Sequence, residues 1–339
     1  MCHTGFTSFL FLAFKQCQSA LLSFRSLLFL LPVFILTGCA DISGTRPSTH
    51  STSANALLSP WRSIESAIQE PGSATTAPGG YIQLGRPVSV AAWADYVYIA
   101  DTGRQAILRY DLRRETFSIY YRMRITSATR IIATAGEYLY ISDPLQSRIL
   151  YLDRNARLIR EIKDFNLKQP VAIAEDFSRG RILVADAFYN QVLVFNKLGR
   201  LINVLHPVDE TSAPIAGLTA MLIKGQQMYF LDRLQPRVVV TDLEGQYLYS
   251  LARNSLKQPV AMRIDDIGRV IVADAFDNSL LFFSDDRMHK MTAIVEPVMT
   301  MQLADMDLHE NWLYLADIAA ARIQIMKLHY PVTESAKKK

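Results

Sequence analysis

The chain has 339 residues, half of them hydrophobic, which is enough for a sizeable buried core. Its formal net charge is +4, and Lys15, Arg25 and the lysines at 337–339 account for all of the excess. Proteins that read nucleic acid concentrate positive charge on the folded domain, so we expect no nucleic-acid partner. The three cysteines lie at positions 2, 17 and 39, which excludes disulfides, Cys-based metal sites and cysteine nucleophiles from the chain beyond Cys39.

The N-terminal segment has the pattern of an export signal. Arg25 precedes an apolar run at 27–36 that is too short to span a bilayer as a helix. The run ends in Leu-Thr-Gly-Cys at 36–39, which resembles the bacterial lipobox, whose cysteine is acylated and becomes the new N-terminus. The alternative is an ordinary signal peptide that contains a cysteine. We predict a leader at 1–38 and a lipid on Cys39 that anchors the protein to a membrane.

The residue after the cysteine bears on sorting. In Gram-negative lipoproteins, which this leader resembles, an Asp at that position favours retention in the inner membrane. Here the position holds Ala40. The resemblance therefore implies an outer-membrane location, facing the periplasm.

The next segment, 39–80, is rich in Ser, Thr, Ala, Pro and Gly and is predicted to be a flexible tether. Within it, the stretch 56–70 has apolar residues at roughly helical spacing, from Leu57 to Ile68. We predict a short amphipathic helix there.

From residue 85 onward the sequence repeats. An apolar strand ends in aspartate once in every 42 to 46 residues, at Asp101, Asp143, Asp186, Asp232, Asp274 and Asp317. Such a period suits one four-stranded propeller blade. Each repeat divides into four short β-branched and aromatic runs, which we name strands A to D from the axis outward. We predict an all-β, six-bladed β-propeller over 81–330, followed by a polar basic tail at 331–339.

The third and fifth repeats are the most alike. Leu-Lys-Gln-Pro-Val-Ala occurs at 167–172 and 256–261, and Val-Ala-Asp-Ala-Phe at 184–188 and 272–276. This pattern resembles the NHL repeat, and the resemblance implies the fold more than a function. Repeat six ends after its third strand, near residue 328. We therefore predict that 81–84 supplies the missing fourth strand and closes the ring.

The repeated aspartates are predicted to be structural, because six copies of one residue do not make one asymmetric active site. Better functional candidates are the non-repeating residues of the B–C and D–A loops, which meet on one face. This set is cationic with interleaved aromatic residues. It suits an envelope protein or an anionic or sugar-bearing envelope ligand as the partner. The alternative is a solvated rim held together by Arg–Asp ion pairs. The candidates are Arg86, Arg104, Arg130, Lys168, Phe188, Tyr189, Arg233, Lys257 and Phe276.

Strand A lines the axis and carries Arg263, Asp305 and Asp307. The two aspartates face the same way, since they are two residues apart. They are candidates for holding a cation or an ordered water, and the alternative is an Arg–Asp pair. Some similar propellers, the amidating lyases and gluconolactonase-like hydrolases, are enzymes with metal ligands around the axis. The histidines of this chain are not placed for three ligands to converge, so we predict no catalytic residue and no cofactor.

Three functions follow from these patterns. The first is a non-enzymatic binding or scaffold propeller tethered to the envelope. The second is a metal-dependent lyase or lactonase-type hydrolase that uses axial carboxylates such as Asp305. The third is nucleic-acid binding, as in some animal NHL proteins, which export and the near-neutral body oppose.

Overall fold

The structure is a computed structural model that describes residues 57–70, 80–284, 291–293 and 301–330. The leader, Cys39 and the basic tail lie outside these residues. Within the described ranges the chain forms strands and turns, and no helix there is long and apolar enough to cross a membrane. The predicted all-β class is confirmed.

The strands are numbered in chain order. They are β1 (Leu58–Ile64), β2 (Ser66–Gln69), β3 (Tyr81–Gln83), β4 (Pro87–Trp93), β5 (Tyr96–Asp101), β6 (Ala106–Asp111), β7 (Thr116–Arg122), β8 (Ile131–Thr134), β9 (Tyr138–Asp143), β10 (Arg148–Leu152), β11 (Leu158–Lys163), β12 (Pro170–Asp176), β13 (Arg181–Asp186), β14 (Gln191–Asn196), β15 (Leu201–Leu205), β16 (Leu218–Lys224), β17 (Gln227–Asp232), β18 (Arg237–Asp242), β19 (Tyr247–Leu251), β20 (Pro259–Ile264), β21 (Val270–Asp274), β22 (Ser279–Phe283), β23 (Met291–Ala293), β24 (Leu303–His309), β25 (Trp312–Asp317) and β26 (Arg322–Leu328).

These strands make six blades in a ring, as the repeats predict. Blades one to five are β4–β7, β8–β11, β12–β15, β16–β19 and β20–β23, each an antiparallel run of strands A to D. Blade six is β24, β25 and β26 with β1 added at its outer edge. The A strands of blades six and one, β24 and β4, contact each other and close the ring. The fold is a six-bladed β-propeller.

The ring closes through an N-terminal strand, but that strand is β1 and not the predicted 81–84. Leu58 pairs with Leu328 and Ile64 with Ile323, so β1 covers the edge of β26 along most of its length. Residues 81–83 instead form β3, which pairs with β2; β2 in turn pairs with β7 at the outer edge of blade one. β1 has seven residues and β3 has three, so β1 can pair with more of the exposed edge of β26, and it occupies that edge.

The same finding corrects the predicted helix at 56–70. Its described part forms β1 and β2 and no helix. A β-bulge between Pro60 and Arg62 shifts the alternation of β1, so that Leu58 packs towards blade five and Ile64 towards blade one. Apolar residues on both faces, together with the bulge, hide the period of two that a strand normally shows. An open strand edge then decides the conformation, because tertiary pairing overrides local propensity.

The core consists of six apolar clusters, one between each pair of consecutive blades. Successive residues of strand B point to opposite neighbours. In β17, Phe230 packs towards blade three and Tyr229 towards blade five. Strands B and C are therefore apolar on both faces, and this rigid ring fixes the positions of the loops at its ends.

Candidate ligand-binding face and axial cavity

The blade aspartates organise one end of the propeller, which we call the loop face: the six B–C turns and the described parts of the D–A loops. In blade three, the carboxylate of buried Asp186 accepts hydrogen bonds from the backbone N–H groups of Lys168 and Gln169 in the D–A loop, both at 2.6 Å. It also accepts from the N–H groups of Phe188 and Tyr189 in the B–C turn, both at 3.1 Å. One carboxylate thus ties two loops together.

The same arrangement positions most of the candidate residues. Their backbone N–H groups donate directly to a blade aspartate in seven cases, which are Arg86 and Arg104 to Asp101, Lys168, Phe188 and Tyr189 to Asp186, and Lys257 and Phe276 to Asp274. The aspartates therefore hold the backbone from which candidate side chains project, and they supply rigidity without facing a ligand themselves.

A backbone hydrogen bond repeats beside each carboxylate. In five blades, the residue after the aspartate donates its N–H to the last carbonyl before strand A, as in the 2.9 Å bond from Arg233 to Gly217. Blade two has Pro144 at this position, which has no N–H. There Ser142 donates its N–H to the carbonyl of Arg130, and its hydroxyl accepts from the N–H of Arg130 at 2.7 Å.

The side chains of the candidates divide into two groups. At the rim, the Lys168 ammonium lies 4.6 Å from the centre of the Phe165 ring, and that of Lys257 lies 4.3 Å from Phe276. The rings of Phe188 and Tyr189 meet edge to face at 4.8 Å. Arg104 turns outward, because its Nε donates to the carbonyl of Gln83 at 2.6 Å. Arg86 is exposed on the D–A loop of blade one.

In the second group, Arg130 lines a cavity of 210 Å³ on the propeller axis, whereas Arg233 is exposed and is not part of the cavity lining. Apolar residues of the A strands of blades two to five form much of its wall. The charged residues come from the loop before blade two and from the A strands of blades three, five and six. Its lining includes Ile131, Ile132, Val171, Ile173, Leu222 and Val260, together with Arg130, Glu175, Arg263, Asp305 and Asp307. An apolar cavity with a few converging charges is the usual form of a small-ligand site.

Three arginines influence one another here. Burial lowers the pKa of Arg130; the carboxylate of Asp305 opposes this shift, and the positive charges of Arg263 and Arg233 add to it. Burial also opposes the charge of Arg263, but the carboxylates of Asp307 and Asp305 outweigh it and raise its pKa. Arg263 has its counter-ion, since its Nε lies 2.7 Å from Asp307. Arg130 donates only to neutral carbonyls, those of Ser127 at 2.8 Å and Thr129 at 3.0 Å.

The axial carboxylates are engaged by the neighbouring blade. Asp305 accepts from the Ser89 hydroxyl and the Val90 N–H, and Asp307 accepts from the Ala92 N–H at 2.8 Å. Two residues further along β24, His309 accepts from the N–H of Ala94 at 3.1 Å. Alternate residues of β24 thus bind alternate N–H groups of β4 and of the turn that follows it, and they form a seam between blades six and one.

This seam bears on the metal candidates. The oxygen atoms of Asp305 and Asp307 already accept hydrogen bonds from protein donors, so they do not offer the open coordination that a catalytic metal requires. Among the residues that the structure describes, no group of three His, Cys, Asp or Glu side chains could share an ion. The donor set does not fit the metal of an axial lyase or lactonase.

Sequence reasoning missed several exposed apolar side chains of the loop face: Leu145, Phe165 and Leu234. The signal was available, because Leu145 and Leu234 occupy the same position, two residues after the blade aspartate, as Phe188 and Phe276.

Comparison with known proteins supports the fold of this chain. No family model and no curated protein matches the chain. Virginiamycin B lyase from Staphylococcus aureus matches it with a TM-score of 0.56 and 9% identity, over 79% of this chain and all of that one. A catalytically inactive form of that lyase with quinupristin has a TM-score of 0.52, also at 9% identity, over 79% of this chain and 99% of that one. A streptogramin B lyase has a TM-score of 0.55 and 10% identity, over 82% of this chain and all of that one. The likeness is one of fold.

Proposed function

We propose that this chain is a non-enzymatic binding propeller of the bacterial envelope, and that its loop face and axial cavity bind an anionic partner. One observation carries the proposal. Among the described residues, the half-buried guanidinium of Arg130 donates only to neutral carbonyls, and the positive charges of Arg263 and Arg233 act on it. A cation in such a site is costly to desolvate, and an anion that reaches it gains a strong, charge-assisted interaction.

The cavity wall suggests what else the ligand carries. Val171, Leu222 and Val260 are partly exposed on the axial side. A carboxylate or phosphate attached to an apolar body would meet the arginines with one end and these side chains with the other. The cations at the rim, Lys168 and Lys257, would draw such a partner towards the face before it binds.

The test is titration with defined anions. Binding of an anion to the folded state raises the melting temperature with concentration, so citrate should stabilise the protein progressively at low ionic strength. We expect Arg130→Gln and Arg233→Gln to weaken citrate binding by about tenfold each, which corresponds to the loss of one charge-assisted contact. Arg200→Gln, an exposed arginine in the C–D turn at the other end of blade three, is the matched control. Equal binding by all three variants would refute the proposal.

Tethering through Cys39 is part of the same proposal. It rests on the lipobox resemblance, and with Ala40 as the next residue it implies the outer membrane, facing the periplasm. Replacement of Cys39 by serine should abolish fatty-acid labelling and release the protein from the membrane fraction, because the thiol is the attachment point. Continued labelling of that variant would show that the anchor is elsewhere.

The second candidate function is a lyase, which the likeness to streptogramin and virginiamycin B lyases favours. Quinupristin, present with the inactive lyase, is the substrate to try first. Conversion of quinupristin by the purified protein, lost in Asp305→Asn, would replace the binding proposal with an enzymatic one. Binding of anions without conversion supports the proposal made above.

A further inference from the structure

The tips of the B–C turns form an apolar crescent, which we define as Leu145, Phe188, Leu234 and Phe276. These are the second residues after the aspartates of blades two to five, and their exposed fractions are 52%, 63%, 66% and 63%. The corresponding residues of blades one and six are Gly103 and Ala319. Four adjacent blades therefore carry large apolar tips and two do not, so the face is asymmetric although the fold repeats.

Nothing in the fold requires these side chains. Three of the four tip residues are held through their backbone, because the N–H groups of Phe188, Leu234 and Phe276 donate to the aspartates of their own blades. A polar residue could make the same bond. Large apolar side chains that are exposed to solvent lower solubility, and when they are grouped on one surface they mark an interaction site.

Positive charge accompanies the crescent. Lys257 lies over the ring of Phe276, Lys168 lies over Phe165 on the adjoining D–A loop, and Arg233 is exposed next to Leu234. A cation stacked on an aromatic ring lets a partner meet apolar surface and positive charge at the same point. A partner surface that complements the crescent and its cations therefore has large apolar side chains flanked by carboxylates.

The spacing of the charges argues for a protein as the partner. The cations beside the crescent are three separate side chains, Lys168, Arg233 and Lys257, which belong to blades three, four and five. A protein segment can place single carboxylates between single apolar side chains, and this arrangement complements separate cations among apolar tips.

We propose that the crescent and its cations dock an acidic protein segment that presents large apolar side chains to the loop face. This inference rests on the proposed function and specifies its partner. The apolar side chains of the segment pack among the four tips, its carboxylates meet Lys168, Arg233 and Lys257, and the axial cavity beyond them is large enough for one inserted side chain.

The test uses the full mature chain and two synthetic peptides of equal charge. In one, glutamates alternate with leucine and phenylalanine; in the other, serine replaces every apolar residue. We expect the apolar peptide to bind at least about tenfold more tightly. A variant with serine in place of Phe188, Leu234 and Phe276 should lose this preference but keep its affinity for the serine peptide. Serine in place of Phe177 and Ile267, exposed residues in A–B turns, is the matched control and should leave the preference intact.

Each other outcome is decisive. Equal affinity of the two peptides for the native chain would overturn the inference while leaving the anionic-partner proposal standing. Failure of both peptides to bind, together with no response to citrate, would overturn the proposed function itself. Vesicles of phosphatidylglycerol and phosphatidylethanolamine complete the set. Binding to them that depends on the crescent, without a preference for the apolar peptide, would make the occupant a membrane and refute the protein segment. Melting temperatures of the variants establish that each is folded.

Discussion

At the level of single residues, the blade aspartates show how a structural residue supports a binding surface. Their recurrence in the sequence predicted a structural role, and the contacts show a mechanism: Asp186 holds four backbone N–H groups from two loops. The sequence did not reveal which loop side chains face the axis. Arg104 and Arg130 were both predicted to face a ligand, yet Arg104 turns to the carbonyl of Gln83 while Arg130 lines the cavity.

Removing one of these carboxylates should be costly. Asp186→Ala leaves four N–H groups without their acceptor in a buried site, and each unsatisfied group costs about 1–3 kcal/mol where water cannot replace it. We expect a loss of at least about 3 kcal/mol in the free energy of unfolding, measured by urea denaturation. Asp266→Ala, an exposed aspartate in an A–B turn, should change it by less than about 0.5 kcal/mol. Similar values for the two variants would contradict the role assigned to the blade aspartates.

Asp209 gives the loop face a pH dependence. Burial opposes its ionisation, but hydrogen bonds from Thr211 and Arg237 outweigh burial and lower its pKa to about 2. A carboxyl whose pKa is lower in the folded state stabilises the protein above its unfolded pKa, and that stability is lost as the pH falls through the folded value. The melting temperature should therefore decrease between about pH 4 and pH 2.

In Asp209→Asn this part of the acid dependence should disappear, because the amide does not titrate, and the variant should already be less stable at neutral pH. Thermal melts from pH 7 to pH 2 measure both effects. A native-like slope in the variant would show that other carboxyls carry the dependence.

At the level of elements, local pattern predicted strands well and long-range pairing poorly. The third strand of repeat six was predicted at 322–328 and is observed as β26. The strand that pairs with β26 was assigned to 81–84 instead of 58–64, because this pairing depends on contacts between segments that are far apart in the sequence. No local signal distinguishes 58–64 from 81–84 in that role, and the bulge at Pro60 disguises the period of β1.

The corrected closure changes what truncation should do. A chain that begins at residue 57 keeps β1, whereas one that begins at residue 65 loses β1, keeps β2 and exposes the edge of β26. We expect the free energy of unfolding of the shorter chain to be several kcal/mol lower, because that chain lacks a seven-residue strand and the burial of Leu58 and Ile64. Thermal and urea denaturation of the two chains are the measurement. Equal stabilities would mean that β1 does not close the ring.

At the level of the whole molecule, the ring brings together what the sequence keeps apart. Arg130, Arg233 and Arg263 come from blades two, four and five, and their proximity follows only from closure. The period of the repeats predicted the ring, and the composition of the loops predicted a cationic face with aromatic residues. The axial cavity could not be predicted, because its shape depends on how the A strands of different blades pack around the axis.

The two ends of the propeller carry different features. The end with the A–B and C–D turns receives the chain at Leu57, and the loop face at the other end carries the cations and the apolar crescent. The central claim is that partners bind at the loop face through its positive charge.

Site-specific photo-crosslinking in the native envelope tests this claim most directly. A photoreactive residue is placed at Leu145 on the loop face or at Phe177 at the other end, in the native chain and in a variant with Arg233→Glu and Lys257→Glu. We predict a discrete adduct from position 145 that is lost in the charge-reversed variant, because an exposed charge contributes little to folding and much to association with an anionic partner. An adduct from position 177 alone, or one from position 145 that survives charge reversal, would contradict the account.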